Sequence, residues 1–444
     1  MQGNLAKTLY IAMIAVLITS EGMNYSIIAP FFPIEARHKN TPDSMIGLVI
    51  GSFSFSSCIT AILISKIVST QLQFFFVISG CIIAGVSLVC FGSLEFSSPG
   101  NSFFYMSMSC RIINGIASAM LWSSAYPALC SIKEEWTAIL APLIEFSVGF
   151  GVIIGPPIGS LLYSIWGYAV TFFIIGGFQI VLSLTVLFIK FFSSDTTKNK
   201  NEPNSTISMR TLLKLSKSYQ MLLVSVPFIL CSSMVGLIDT VLAPYLINNL
   251  SMTSDTNGLI FAIQAASYAI ANICTLPLPR LGFSGILYAI GPSLTAIGGL
   301  GFCLQAYFKF LQSLVYVCFC LILISFGSSA VIMNCYLVYD KVILKLNVEG
   351  TGNVKLISAT WINILFTLGA TVGATFFGGI YYEHFGIFPT FFTISALSTI
   401  IFIVNIFLLH SLGLLQKIYF GEDPNVNDAV PLLEGEEFCE GQLN

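Results

Sequence analysis

Residues 193–217 read SSDTTKNKNEPNSTISMRTLLKLSK, a polar and basic stretch in a chain otherwise almost free of charge. Moving outward, six apolar runs lie before it and six after. A helix needs about 20 mostly apolar residues to cross ~30 Å of hydrocarbon. The runs near 8–31, 45–65, 73–94, 102–131, 138–163, 168–192, 219–248, 257–278, 285–308, 312–339, 355–380 and 388–415 each supply them. They are continuous rather than alternating, which disfavours a membrane barrel. The first run reads as a retained span, because it carries Glu21 and leads into Pro30 and Pro33 without a small-residue cleavage pattern. The expected fold is therefore an all-α membrane protein of twelve helices. Its expected parts are a first half over 1–192, the loop 193–217, a second half over 218–416 and a tail over 417–444.

Composition agrees. The 444 residues are 56% hydrophobic and only 9% charged, against about 25% charged in ordinary soluble domains. That excludes a cytosolic enzyme, a secreted disulfide scaffold and a disordered chain. A net charge of -3 offers nothing to nucleic acid. Cysteines such as Cys58, Cys81, Cys90, Cys110, Cys130, Cys231 and Cys274 stand singly inside apolar runs, with no metal-ligand spacing, and read as packing residues. No catalytic residue, metal site or cofactor is expected.

The basic residues set the orientation. With the N-terminus in the cytosol, fourteen Lys and Arg fall on the cytosolic side and only Arg37, Lys39 and Lys309 on the other. This positive-inside bias puts both termini in the cytosol. The halves also resemble each other. Ile28-Ala29-Pro30-Phe31-Phe32 recurs as Leu242-Ala243-Pro244-Tyr245-Leu246, 214 residues on. Gly159-Ser160-Leu161-Leu162-Tyr163, with Gly167, recurs as Gly378-Gly379-Ile380-Tyr381-Tyr382, with Gly386, 219 residues on. Duplicated halves are how transporters alternate access to a site between them near the midplane.

Four ionisable residues remain inside the runs: Glu21, Arg111, Glu145 and Asp239. Each costs about 2.5–3.5 kcal/mol at the bilayer centre without compensation. At about 1.5 Å per residue, Glu21, Arg111 and Asp239 fall at one depth, roughly 14 Å from the non-cytosolic edge, and Glu145 lies nearer the cytosol. Three carboxylates and one guanidinium make an electronegative cavity that favours cations. A carboxylate that either a proton or an organic cation can neutralise is the minimal part for exchanging the two. The plainer alternative is a buried Glu21–Arg111 pair, with Asp239 capping a helix break before Pro244.

Arg111-Ile112-Ile113-Asn114-Gly115 is similar to R-x-x-Q-G, the fourth-helix pattern of the major facilitator superfamily, whose arginine is linked to proton coupling. Gly155-Pro156-Pro157-Ile158-Gly159-Ser160 resembles the fifth-helix antiporter motif as the vesicular amine transporters write it. This resemblance, spanning about 8–415, implies gating by Gly155, Pro156, Pro157 and Gly159. It implies amine contacts from Glu21 and Asp239, and from Tyr268 in a Ser267-Tyr268 pair whose ring can attract an ammonium group. Monoamine carriers have further acids in helices 10 and 11, where this chain has Gly327, Asn363 and Ile364, and a lysine in helix 2, where it has a position near Phe53. The vesicular polyamine branch lacks those acids too, and shares Glu145-Phe146-Ser147 and the Ala-Pro-Phe-Phe-Pro ending of helix 1. The superfamily's glycine-, aspartate- and arginine-rich signature between helices 2 and 3 is reduced to Ser65-Lys66-Ile67-Val68-Ser69-Thr70.

In the tail, Asp428-Ala429-Val430-Pro431-Leu432-Leu433 fits an acidic dileucine pattern, so Asp428, Leu432 and Leu433 are expected to meet a sorting adaptor. Asn249 begins the sequon Asn249-Leu250-Ser251 on the non-cytosolic side. The resulting expectation is a monomeric, proton-coupled antiporter in the bilayer of acidic vesicles. Its partners are protons and a small organic cation, a polyamine or a monoamine. A facilitative carrier of a neutral or anionic solute, or a non-transporting receptor or scaffold of the same fold, stay open as alternatives.

Overall fold

The computed structural model describes residues 2–64, 72–132, 137–192, 214–250, 252, 254–275, 283–308, 312–346 and 354–411. Most of the central loop and all of the tail, including Asp428, Leu432 and Leu433, lie outside these. In hydrocarbon the backbone must satisfy its own hydrogen bonds, and a helix does so within one segment.

Twelve spans result: α1 Gln2–Ser26, α2 Asp43–Ile64, α3 Gln73–Gly92, α4 Asn101–Ile132, α5 and α6 as the two arms of Thr137–Phe192, α7 Tyr219–Leu250, α8 Ser254–Thr275, α9 Ser284–Tyr307, α10 Leu314–Lys345, α11 Val354–Val372 with its extension through Phe385, and α12 Ile387–Ser411. Nine described segments pass on length and hydropathy alone, one of them holding both α5 and α6. The two that do not, α1 and α4, carry Glu21 and Arg111.

Helix ends depart from the apolar runs where backbone chemistry intervenes. The run 8–31 is apolar to its end, yet α1 stops at Ser26. Pro30 has no N–H to give the Ser26 carbonyl and its ring crowds that carbonyl. A turn follows, then a short helix Phe32–His38. In the second half, by contrast, α7 continues through Pro244 to Leu250, so no break follows Asp239.

The repeat is visible in the backbone. Gly167, between α5 and α6, has φ 79° and ψ -173°, and Gly386, between α11 and α12, has φ 77° and ψ -172°. That region is essentially open to glycine alone. Four residues after each, a threonine hydroxyl donates back to the glycine carbonyl, Thr171 to Gly167 at 2.8 Å and Thr390 to Gly386 at 2.6 Å. Where α5 carries its Gly-Pro-Pro, α11 widens into a π-helix over Gly373–Tyr381.

Each half has its own core. Two buried clusters are confined to the first half, around Phe31, Phe91 and Phe172 and around Ile14, Leu17 and Leu121. One is confined to the second, around Phe228, Tyr288 and Tyr339. The fourth, around Phe302 and Phe391, admits only Ala29 from the first half. Cys81, Cys231, Cys320 and Cys335 sit inside these clusters as small apolar side chains, whereas Cys90 and Cys274 are exposed on helix faces.

The halves meet along α2–α11 and α5–α8, with lesser contact of α7 with α2 and with the short helix Phe32–His38. Contact is tightest at the end of the bundle away from Gln2 and Ser411. There a side chain on Gly47 would strike the backbone of Ala374 and Gly379, and one on Gly258 would strike Ser160 and Pro156. The backbone N–H of Ser44 donates to Glu383 Oε2 across the α2–α11 seam at 2.6 Å. Beside it, Arg37 holds Asp43 through two bonds of 2.8 Å.

Candidate functional site

A small central cavity of about 20 Å³ lies between the halves, lined by Tyr25, Ile28 and Ala29 of α1, Ile50 and Ser54 of α2, Arg111 of α4, Gly236 and Asp239 of α7, and Ala370 and Ala374 of α11. Small residues on α7 and α11 make the room. Both helices come close there because Gly236 packs on the Ala370 carbonyl and Gly373 on the Ser233 carbonyl.

Asp239 is half-buried, and the Tyr25 hydroxyl donates to its Oδ2 at 3.3 Å. The Tyr25 ring leans on Phe53 with centroids 5.5 Å apart. Over that Phe53 ring lies the Arg111 guanidinium, 4.4 Å from the centroid. Arg111 is 3% exposed, and its Nε and Nη1 have no hydrogen-bond partner. It interacts through space with both Glu21 and Asp239, but forms no ion-pair contact with either. The plain alternative of a bonded Glu21–Arg111 pair is therefore not what these side chains form.

Glu21 occupies a different place. It is 1% exposed and sits inside the first half, off the cavity lining, where Gln179 of α6 donates to its Oε2 at 2.8 Å and Asn24 at 3.3 Å. Asn24 also receives Asn114 at 3.4 Å, and Ser118 lies within bonding reach of the carboxyl. Glu21 Oε1 has no partner. A buried carboxyl is tolerated when polar groups surround it, and α1, α4 and α6 each contribute one or more here.

Other expected residues fall elsewhere. Tyr268 on α8 is half-buried and outside this cavity's lining. The Glu145 side chain lies outside the described ones. Gly155 and Gly159 let α5 pack on α1, against Ser26 and Met23 and against Ile27 and Phe31, and the Pro156 carbonyl faces Gly258 of α8. The glycine–proline motif, Pro157 included, thus stands on the helix wedged between α1 and α8. Asn249 is exposed in the last turn of α7; Ser251 of its sequon is outside the described residues.

Two residues of the site went unread in the sequence, and a third was read for another reason. Tyr25 carried a signal, since it stands 214 residues before Asp239, the repeat offset already seen at Ala29 and Ala243. Gln179 carried one as well, as a lone amide within an apolar run. Phe53 was read only as marking the place of a lysine in monoamine carriers, and with aromatics at 13% of the chain nothing singled it out as the ring beneath Arg111.

Comparison with known proteins gives the arrangement its context. Residues 14–352 match the Major Facilitator Superfamily. The chain is 29% identical over 266 residues to the MFS-type transporter SLC18B1 of Mus musculus, covering 58% of this chain and 56% of that protein. It is 27% identical over 278 residues to SLC18B1 of Rattus norvegicus, covering 61% and 58%. The aligned part thus spans little more than half of the curated relatives it matches. Among solved structures, a bacterial homologue of the human lysosomal transporter Spinster, in an inward-facing and unoccupied conformation, superposes with a TM-score of 0.63 at 13% identity, covering 92% of this chain and 96% of that one. The nucleoside transporter NupG superposes with a TM-score of 0.65 at 11% identity, covering 91% and 99%. Twelve helices in two halves related by repeat, closed around a charged midline cavity, and a superfamily match over most of its length place this chain in the major facilitator superfamily.

Proposed function

We propose that the protein is a proton-coupled antiporter that moves organic cations, polyamines or monoamines, from the cytosol into acidic vesicles by alternating access. The observation that carries this reading is a carboxylate on the cavity wall, Asp239, with a second, Glu21, buried off the lining and one guanidinium, Arg111, on the lining that interacts electrostatically with both. Counted together these three groups hold one net negative charge, which a single proton or a single ammonium group neutralises. Competition between the two for that charge is the elementary requirement of exchange.

In this reading Asp239 receives the amine, Glu21 holds the proton, and Arg111 transmits the state of one carboxylate to the other. Tyr268 and Glu145 remain candidates for amine contact and coupling in the opposite-facing state. The Gly155-Pro156-Pro157-Gly159 stretch serves as the pivot on which α5 moves between α1 and α8. Both termini face the cytosol, the seam held by Glu383 and Ser44 faces the lumen, Asn249 is glycosylated there, and Asp428, Leu432 and Leu433 address the protein to vesicles through a sorting adaptor.

The test is uptake into liposomes with an acid interior, using labelled spermidine and serotonin with and without a protonophore. Uptake that collapses with the gradient, and is lost in Asp239→Asn, supports the reading; uptake indifferent to both overturns it. One observation favours a second reading. The unpaired Nε and Nη1 of Arg111, at the cavity lining, suit an anionic solute. Uptake of a labelled organic anion, lost in Arg111→Gln and insensitive to the gradient, would select it.

A further inference from the structure

The cavity holds one aromatic residue among its described lining, and that residue occupies the carboxylate the substrate needs. Tyr25 donates to Asp239 Oδ2 at 3.3 Å, longer than the usual 2.7–2.8 Å of a hydroxyl bond, so the contact is weak. The remaining lining beside Arg111 and Ser54 is aliphatic or glycine: Ile28, Ala29, Ile50, Gly236, Ala370 and Ala374. The Phe53 ring next door is already covered by Arg111. Tyr25 is therefore both the aromatic face left for a cation and the donor that caps its anionic anchor. The bond also runs from α1 to α7, one helix of each half.

From this geometry we infer that Tyr25 is an affinity-setting residue of the site, whose hydroxyl stands in for the substrate in the empty carrier and must be displaced by any cation that takes Asp239. The inference rests on the proposed reading of Asp239 as the amine anchor. A protonated primary, secondary or tertiary amine replaces the neutral O–H donor with a charge-assisted N–H donor, about twice as strong. A quaternary ammonium ion has no N–H. It can offer Asp239 only its charge, and, as with any cation, the displaced Tyr25 hydroxyl loses its acceptor. The hydroxyl thus raises the affinity that any cation must bring, and a cation with no N–H to give Asp239 clears that threshold least readily. Substrate entry also cuts a tie between the halves at mid-depth, which links occupancy to their relative motion.

The experiment compares labelled serotonin with its N,N,N-trimethyl derivative in proteoliposome uptake, for the full chain and for Tyr25→Phe, Tyr25→Leu and Asp239→Asn. In the unaltered protein serotonin is preferred. Tyr25→Phe keeps the ring and removes the competing hydroxyl. Its KM is expected to fall roughly three- to tenfold for both compounds, the worth of one neutral hydrogen bond, with the preference for serotonin retained. Tyr25→Leu, lacking the ring too, shows a smaller fall in KM than Tyr25→Phe, and keeps the test informative should Tyr25→Phe fold poorly. A KM for serotonin that stays unchanged in both Tyr25 variants overturns the inference while leaving the amine reading intact, provided Asp239→Asn is inactive. Normal serotonin uptake by Asp239→Asn overturns both.

Discussion

The hydroxyl of Tyr25 and the carboxylate of Asp239 meet at 3.3 Å across the boundary between the two halves, and the two positions are 214 residues apart. That is the spacing that lays Ala29-Pro30 on Ala243-Pro244. The bond therefore joins corresponding positions of a duplicated unit. Duplicated positions face each other only near the axis relating the copies, which is where a site serving both faces of the membrane must lie.

Asp239→Asn removes the charge and keeps the shape. Because hydrogen bonds to charged groups are worth about 1.5–3 kcal/mol, amine affinity is expected to fall roughly tenfold to a hundredfold. Equilibrium binding of labelled serotonin to the purified protein measures this, and full affinity in the variant would dismiss Asp239 as the anchor.

Glu21→Gln should separate binding from coupling. The amide still bonds with Gln179 and Asn24, so the first half stays folded, but it cannot release a proton. Amine-for-amine exchange across liposomes at equal pH is expected to persist, while accumulation driven by an acid interior is lost. If both persist, Glu21 is a structural residue of its buried network. Glu21→Leu differs, stranding the donors of Gln179 and Asn24 at about 1–3 kcal/mol each, and should lower thermal stability in detergent.

Glu383→Ala loosens the seam at the end of the bundle where Glu383 accepts from Ser44. The expected outcome is faster access to the central cavity from that end. It can be read as a roughly two- to tenfold faster reaction of an impermeant thiol reagent with a Ser54→Cys substitution in the cavity lining, an order of magnitude set by losing one charged hydrogen bond. An unchanged rate would leave closure to the Gly47–Gly379 packing.

Gly167→Ala and Gly386→Ala each force a side chain into a backbone region that only glycine occupies comfortably. Each should destabilise by about 1–3 kcal/mol, seen as a lower melting temperature in detergent. Similar losses at the two sites would reflect their matched angles.

The sequence by itself determined the number of spans, because the thickness of hydrocarbon imposes a length on any apolar run and polar loops such as 193–217 stand out against it. It determined the duplication, through Ala29-Pro30 with Ala243-Pro244 and Gly167 with Gly386. It also singled out Asp239 and Arg111, since charge inside an apolar run is costly wherever it points. Rise along a helix gives depth, and by depth alone Glu21, Arg111 and Asp239 were expected to stand together. Only the tertiary structure decided which way each one faces. Close packing of α1 on α5, through Gly22 against Val148 and Gly151 against Thr19, fixes the rotation of α1. That rotation turns Glu21 toward Gln179 and brings Tyr25, one turn further on, into the cavity against Asp239. Rotation about a helix axis is set by contacts between segments far apart in the chain, so no reading of either segment alone contains it.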